Sequence, residues 1–335
     1  MISSKGLSKG LNIMKAIRVA AFGGADVLQY KIDAPLPQPA EDEVLVNIKA
    51  VGVNPVETYI RAGAYKRLPT LPFTPGSDGA GVVEKVGSKV NRFKPGDRVF
   101  VCRTVSGSYA EFATVKESNA HPLAAALDYK QGAALGVPYF TAYRALCIKA
   151  NIKAGQKVLI HGASGGAGTA CIQIAKSHGL TVFGTAGSQQ GMDLIKKLGC
   201  DHVFNHREQG YEEKILEVTN DCGVDCIVEM LANVNMQRDL DLLAVNGSLV
   251  IVGSRGDIEI SPRSIMAKES KVYGVMLWNS TEDELQRTSS AIVKGTESGE
   301  LVPVIGKEYP LDQASQAHRD IINTKSAVGR LVLLP

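Results

Sequence analysis

Hydrophobic residues along this chain follow two patterns, and the change falls near residue 135. From Met14 they form short runs rich in β-branched residues, "KAIRVAAFG", "DEVLVNIKAVGV", "GAGVVEKVG" and "GDRVFV", broken by Pro and Gly. Such runs are expected of strands joined by tight turns. Beyond residue 135 strand-like and helix-like stretches alternate: "KVLIHG", a helix from Gly168, "LTVFGTAG", a helix near 190–198, "HVFN", a helix near 211–219, "VDCIVEML", "GSLVIVG" and "KVYGVML". Six short apolar strands linked by helical crossovers predict a parallel sheet covered by helices on both faces. From about Ile305 the first pattern returns and closes on "GRLVLLP". Residues 306–335 are therefore expected to complete a β-rich domain of residues 14–135, with 136–305 forming the parallel-sheet domain and a ligand cleft between the two. The proline cluster "DAPLPQPAEDE" (33–43) reads as an extended connector between strands.

The stretch "VLIHGASGGAGTACIQIAK" (158–176) runs from apolar residues through glycines into a helical pattern. With Ala163 standing where the first glycine would be, Gly165 and Gly168 keep the dinucleotide-binding spacing. Gly165 removes a Cβ where a pyrophosphate must approach the backbone. Gly168 lets the helix pack closely on the sheet, and the first amides of that helix point at the phosphates. A glycine triplet alone is equally a tight turn that binds nothing. Here a strand precedes it, a helix follows, and further strand–helix units come after. No Gly-Lys-Ser/Thr follows, which disfavours a kinase-type phosphate loop.

The second strand selects the cofactor. An Asp or Glu at its end would bond the ribose 2′-hydroxyl of NAD, yet "FGTAGSQQG" (183–191) contains no acid. A 2′-phosphate meets no repulsion there, so NADPH is the expected cofactor. Ser188 can donate a hydrogen bond, and Arg207 in "FNHR" supplies a cation, with His206 the lesser candidate. The plainer reading of Arg207 is a solvated surface charge.

Composition narrows the class. The 335 residues carry 37 basic and 34 acidic side chains, a net charge of +3, with no basic block to track a nucleic-acid backbone. No run of about 18 apolar residues is present to span a bilayer. Six cysteines scattered through apolar segments, without a secretory signal, suit a reducing compartment, so a cytoplasmic location is expected. Residues 1–13, with lysines, serines and no acid, are expected to be a flexible extension, with mitochondrial import the lesser reading. No paired-ligand spacing for zinc occurs. Cys222 and Cys226 are expected to pack in the core, and His161 to be a hydrogen-bonded structural histidine.

Several longer segments carry a family resemblance: "GVNPVETYIRAGAY" (52–65), "PFTPGSDGAGVVEKVG" (72–87), "KPGDRV" (94–99), "YAEF" (109–112), "QGAALGVPYFTAYRAL" (131–146), "HGASGGAG" (161–168), "FNHRE" (204–208), "EMLAN" (229–233), "VGSRG" (252–256) and "MAKES" (266–270). Over residues 14–335 the chain resembles the zeta-crystallin and quinone oxidoreductase branch of the medium-chain dehydrogenase/reductase superfamily. The resemblance implies an α/β fold: a doubly wound, six-stranded Rossmann sheet with a GroES-like β-rich domain. Zinc-dependent relatives have a cysteine ligand where this chain has Asn54, and a Gly-His-Glu near "PGSD" (75–78), so the zinc-free branch is implied.

Carried over by position, the resemblance puts Tyr59 and Asn54 beside the nicotinamide. Gly165, Gly166, Ala167 and Gly168 would hold the pyrophosphate, with Gly187, Ser188 and Arg207 at the adenosine end. Asn233 and the turn Gly253, Ser254, Arg255, Gly256 would flank the nicotinamide. Met276, Leu277 and Trp278 would line the carboxamide region, and Thr141 joins the cofactor-binding set. Bacterial members often carry a lysine where this chain has Gly191, so the 2′-phosphate must find its charge elsewhere.

A quinone accepts reducing equivalents without a Lewis acid, so a nicotinamide, an apolar slot and one or two hydrogen-bond donors suffice. The expectation is an NADPH-dependent reductase of ortho-quinones, in which Tyr59 and Asn54 orient or hydrogen-bond the acceptor oxygen. The plainer reading of Tyr59 is a wall of the pocket. Rival readings are a reductase of alkenals or conjugated enones, or a non-catalytic NADPH-binding protein, either crystallin-like or RNA-associated. A homodimer or homotetramer is implied by the resemblance, through edge-strand pairing.

Overall fold

A computed structural model describes residues 12–324 and 327–335. The expected N-terminal extension falls mostly outside these residues, and Ile13 already opens the first strand. The first half holds β1 (Ile13–Arg18), β2 (Gln29–Pro35), β3 (Glu43–Gly52), α1 (Pro55–Arg61), β4 (Asp78–Val86), β5 (Arg98–Cys102), β6 (Phe112–Lys116), β7 (Ala120–Pro122), α2 (Tyr129–Ala133) and α3 (Gly136–Tyr143). Then come β8 (Lys157–Ile160), α4 (Gly166–Ser177), β9 (Thr181–Ala186), α5 (Gln189–Lys197), β10 (His202–Asn205), α6 (Tyr211–Val218), β11 (Val224–Glu229), α7 (Ala232–Leu242), β12 (Leu243–Ile251), α8 (Pro262–Lys268), β13 (Lys271–Gly274) and α9 (Glu282–Glu297). The chain closes with β14 (Ile305–Pro310), α10 (Ala314–Asn323) and β15 (Arg330–Leu334).

The six strands expected of the second pattern form one parallel sheet in the order β10-β9-β8-β11-β12-β13. Counted from β8, this is the doubly wound order with its switch point between β8 and β11, where ligands bind beyond the carboxyl ends of the strands. The second sheet runs β14-β15-β3-β4-β5-β7, with β6 also paired to β3. The C-terminal strands thus lie beside β3 of the first half.

Side-chain alternation explains how the sheets stay together. Val158 and Ile160 of β8, with Cys226 and Val228 of β11, face a core shared with Leu135, Tyr139 and Phe140 around α3 and with Ala80 and Phe100 of the β-rich sheet. Leu159 and Ile227, one residue out of phase, face the opposite core with Phe183, Phe204 and Leu249. Both faces of the parallel sheet are therefore buried, which is why its strands read as continuous apolar runs.

Two expectations change. Residues 33–35 belong to β2 rather than to a connector, since Ala34 pairs with Met14 and Pro35 with Ile13. Cys222 is exposed, beside Asn220 and Asp221 in left-handed backbone, whereas Cys226 is buried in β11. Cys222 lies in the turn between α6 and β11, before the strand begins at Val224.

Candidate active site

The glycine turn opens directly after β8. Gly162 has a φ of +57°, and Gly165, in extended backbone, caps α4 with no side chain on the helix amides. The uncapped N-terminus of a twelve-residue helix is a site for anionic phosphate. The two fingerprint glycines serve different ends. A Cβ on Gly168 would lie 2.3 Å from the Gly162 carbonyl oxygen, so this glycine lets α4 pack on its own turn. A Cβ on Gly165 would meet only ordinary contacts, the nearest the Gly162 carbonyl oxygen at 3.5 Å, so packing within the protein does not demand glycine there. Gly166 and Ala167 sit between them in the first turn of α4.

At the end of β9 the structure brings together the residues expected at the adenosine end. Ser188 caps α5, its Oγ accepting from the Gly191 amide at 3.2 Å, which leaves the hydroxyl proton for another acceptor. A Cβ on Gly187 would lie 2.7 Å from His206 Nε2 and 3.0 Å from Arg207 Nε, so both side chains lie against this backbone. Burial and the neighbouring His161 and Arg207 push the His206 pKa down. At Gly191 a Cβ would come within 3.0 Å of Ser164 Oγ, so α5 packs against the glycine turn there.

Among the residues expected on the nicotinamide side, Asn233 at the start of α7 accepts from the Arg255 amide at 2.8 Å, and Ser254 Oγ donates to the Gly256 carbonyl at 3.0 Å. The Gly253–Gly256 turn is thus fixed to α7. Beneath it, His161 Nε2 lies 2.9 Å from Asp239 Oδ1 and its Nδ1 3.2 Å from Thr185 Oγ1, so His161 is the hydrogen-bonded histidine its place suggested. Burial alone would depress the His161 pKa, but Asp239 and Glu229 more than offset it and the pKa is raised. Burial raises that of Glu229.

Met276, Leu277 and Trp278 follow β13 and are held from the β-rich side. Tyr65 donates to Met276 Sδ at 3.0 Å, Arg103 donates to the Leu277 carbonyl, and the Arg103 guanidinium lies 4.9 Å from the Trp278 ring centroid. Thr141 is buried on α3, and Tyr59 is half-buried on α1. Tyr65 and Arg103 were not singled out in the sequence, where each is an isolated side chain with partners far along the chain.

The side chain of Asn54 is engaged within the protein. One amide proton is donated to Glu57 Oε1 at 3.2 Å and the other to Asp78 Oδ2 at 3.0 Å, while Oδ1 accepts from Arg330 Nη2 at 2.8 Å. The side chain is buried and fully committed, so it does not hydrogen-bond an acceptor. Its backbone amide donates to Glu57 Oε2 at 2.8 Å, which fixes the start of the helix that carries Tyr59. Glu57 also accepts from the Ser77 amide at 2.9 Å and from Tyr109 at 2.8 Å, and Tyr109 meets His318 Nε2 at 2.9 Å. Asp78 pairs with Arg330 and accepts from the Val137 amide at 2.9 Å. Burial pushes Asp78 up to about 7 against the attraction of Arg330, and it raises Glu57.

These residues do not fit zinc. The guanidinium of Arg330 is hydrogen-bonded to both Asn54 and Asp78 and already supplies the positive charge. A divalent ion there would face that cation, and the carboxamide at position 54 is a poor substitute for a thiolate.

The chain is similar to known proteins over nearly its whole length. The family of the alcohol dehydrogenase GroES-like domain matches residues 40–125, and that of the zinc-binding dehydrogenase matches 166–293. The chain is 52% identical over 328 residues to a quinone oxidoreductase of Rattus norvegicus, spanning 98% of this chain and 100% of that one. It is 51% identical to the Homo sapiens quinone oxidoreductase over the same lengths. A solved structure of Escherichia coli quinone oxidoreductase complexed with NADPH superposes with a TM-score of 0.87 at 32% identity, covering 96% of this chain and 100% of that one.

Proposed function

Since this chain belongs to the quinone oxidoreductase branch of the medium-chain dehydrogenase/reductase superfamily, we propose that it passes reducing equivalents from NADPH to quinones, ortho-quinones above all, without zinc. The observation that carries this reading is Arg330 bound to Asn54 and Asp78 beside an open cofactor turn. A simple ketone needs its oxygen polarised by a strong electrophile. A quinone does not, so a site that keeps the cofactor machinery and lacks the Lewis acid selects self-activated acceptors.

NADPH, when bound, supplies the hydride. The amides of Gly166, Ala167 and Gly168 at the start of α4 neutralise the pyrophosphate, and Gly165 lets it approach. Ser188, Arg207 and His206 around Gly187 receive the 2′-phosphate, beside a stretch, 183–191, that carries no acid. Asn233 with Ser254 and Arg255, and Met276 with Leu277, border the nicotinamide end, and Thr141 lies on the helix between the two sheets. Tyr59 hydrogen-bonds the acceptor oxygen from α1, which Asn54 holds in place through Glu57. Buried positioning contacts of this kind fix geometry rather than take part in chemistry.

The exposed edge strand β13, with Val272 and the nearby Met266 at the surface, is the edge through which we infer a homodimer to pair. Among the described residues no helix is long and apolar enough to cross a membrane. The six free cysteines favour a reducing compartment, and the cytoplasm is the one inferred.

Product analysis tests the reaction class. With NADPH and an ortho-quinone the product is the hydroquinone. A saturated ketone formed efficiently from a conjugated enone, with the quinone left untouched, would move the activity to the double-bond reductases.

A further inference from the structure

We infer that Arg103 is a positioning residue for the acceptor: it reaches from the β-rich side of the cleft to hold Leu277 and Trp278 as a fixed wall of the slot. Its guanidinium donates to the Leu277 carbonyl and covers the Trp278 ring at 4.9 Å from the centroid. The residue that follows β5 takes a φ of +66°, a left-handed conformation that side chains larger than glycine seldom adopt. This backbone, unusual for an arginine, aims the side chain across the cleft, and the two contacts to the facing segment help offset its cost.

The wall is braced from its other side as well. Ser280 Oγ donates to the same Leu277 carbonyl at 2.7 Å and accepts from Arg144 Nη1 at 2.9 Å, while Arg144 pairs with Glu284 at the start of α9. Tyr65, also from the β-rich side, holds Met276 at 3.0 Å. Arg144 opens a π-helical turn that continues α3, a local widening often found at functional sites. The segment 276–280 is thus gripped from both sides, and the Trp278 side chain meets the Tyr65 hydroxyl as well as the Arg103 guanidinium over its ring. Burial and the charge of Arg144 both lower the Arg103 pKa.

Trp278 is the one tryptophan in the sequence, so its emission reports this contact without interference. The kinetic part of the test rests on the quinone reading above, whereas the spectroscopic part does not. In Arg103→Ala the Trp278 emission shifts to longer wavelength and acrylamide quenching increases. KM for the quinone rises about fivefold, the scale of a partly desolvated cation–π contact, while kcat changes less than about twofold. Arg103→Lys keeps a cation over the ring and returns emission and KM most of the way, which also covers an alanine variant that folds poorly. An unchanged Trp278 spectrum in Arg103→Ala overturns the inference, as does a quinone KM within about twofold of the parent when the emission has shifted. If no quinone is turned over by the parent protein, the functional reading fails and emission and quenching still decide the role of Arg103.

Discussion

Arg330 Nη2 and Asp78 Oδ2 lie 2.9 Å apart in the protein interior, joining the last strand to a strand 252 residues earlier. Both side chains are almost wholly buried, and Asn54 bridges them. Removing one partner leaves the other charge buried and unpaired. Asp78→Asn and Arg330→Met are each expected to cost about 3–5 kcal/mol in urea denaturation, and the double variant less than the sum. Strictly additive losses would show that the two charges do not depend on one another.

The glycine turn separates folding from cofactor binding. Gly168→Ala places a Cβ 2.3 Å from the Gly162 oxygen and should lower the melting temperature. Gly165→Ala meets only ordinary contacts within the protein, yet it fills the pyrophosphate approach. Its melting temperature should be unchanged while NADPH affinity falls about tenfold or more, read by fluorescence titration. Equal affinity in parent and Gly165→Ala would remove the pyrophosphate from this turn.

Cofactor choice should reside beside Gly187. Arg207→Ala is expected to weaken NADPH binding by about 1–3 kcal/mol, with little effect on NADH, and Ser188→Ala to act in the same direction but less. The readout is the ratio of kcat/KM for the two cofactors. An unchanged ratio in both variants would place the 2′-phosphate elsewhere.

Acid sensitivity follows from a histidine. Burial, and to a lesser degree Arg92, lowers the His121 pKa to about 3 from an ordinary 6.5. The ring packs against Phe100 and Phe140. The unfolded chain therefore binds the extra proton as pH falls below about 6.5, and stability is lost toward pH 3 at about 1.4 kcal/mol per unit. His121→Phe should flatten the pH dependence of unfolding by that slope. A parallel shift of the whole curve, with the slope retained, would contradict it.

Much of the fold was legible because of how it is buried. Strands covered on both faces, such as β8 and β11, carry consecutive apolar residues through their centres, Val158–Ile160 and Cys226–Val228, and so stand out. The strand β2 was not visible, since all but one of its residues are half-exposed or exposed and no alternation marks it. At the site, the glycine turn and the acid-free second strand were legible because spacing along one loop encodes them. Arg103 and Arg330 were not: their partners lie 174 and 252 residues away, and only the packing of the two sheets brings them together. Asn54 showed the limit of position alone, because the neighbours that occupy its amide come from three other elements.

Zinc-independent turnover is tested most directly by the rate of NADPH loss with an ortho-quinone in the presence of a strong chelator, with NADH run in parallel. Arg330 in place of a metal predicts saturable NADPH oxidation that the chelator leaves unchanged, and much slower oxidation of NADH. Loss of activity on chelation, restored by added zinc, would contradict it.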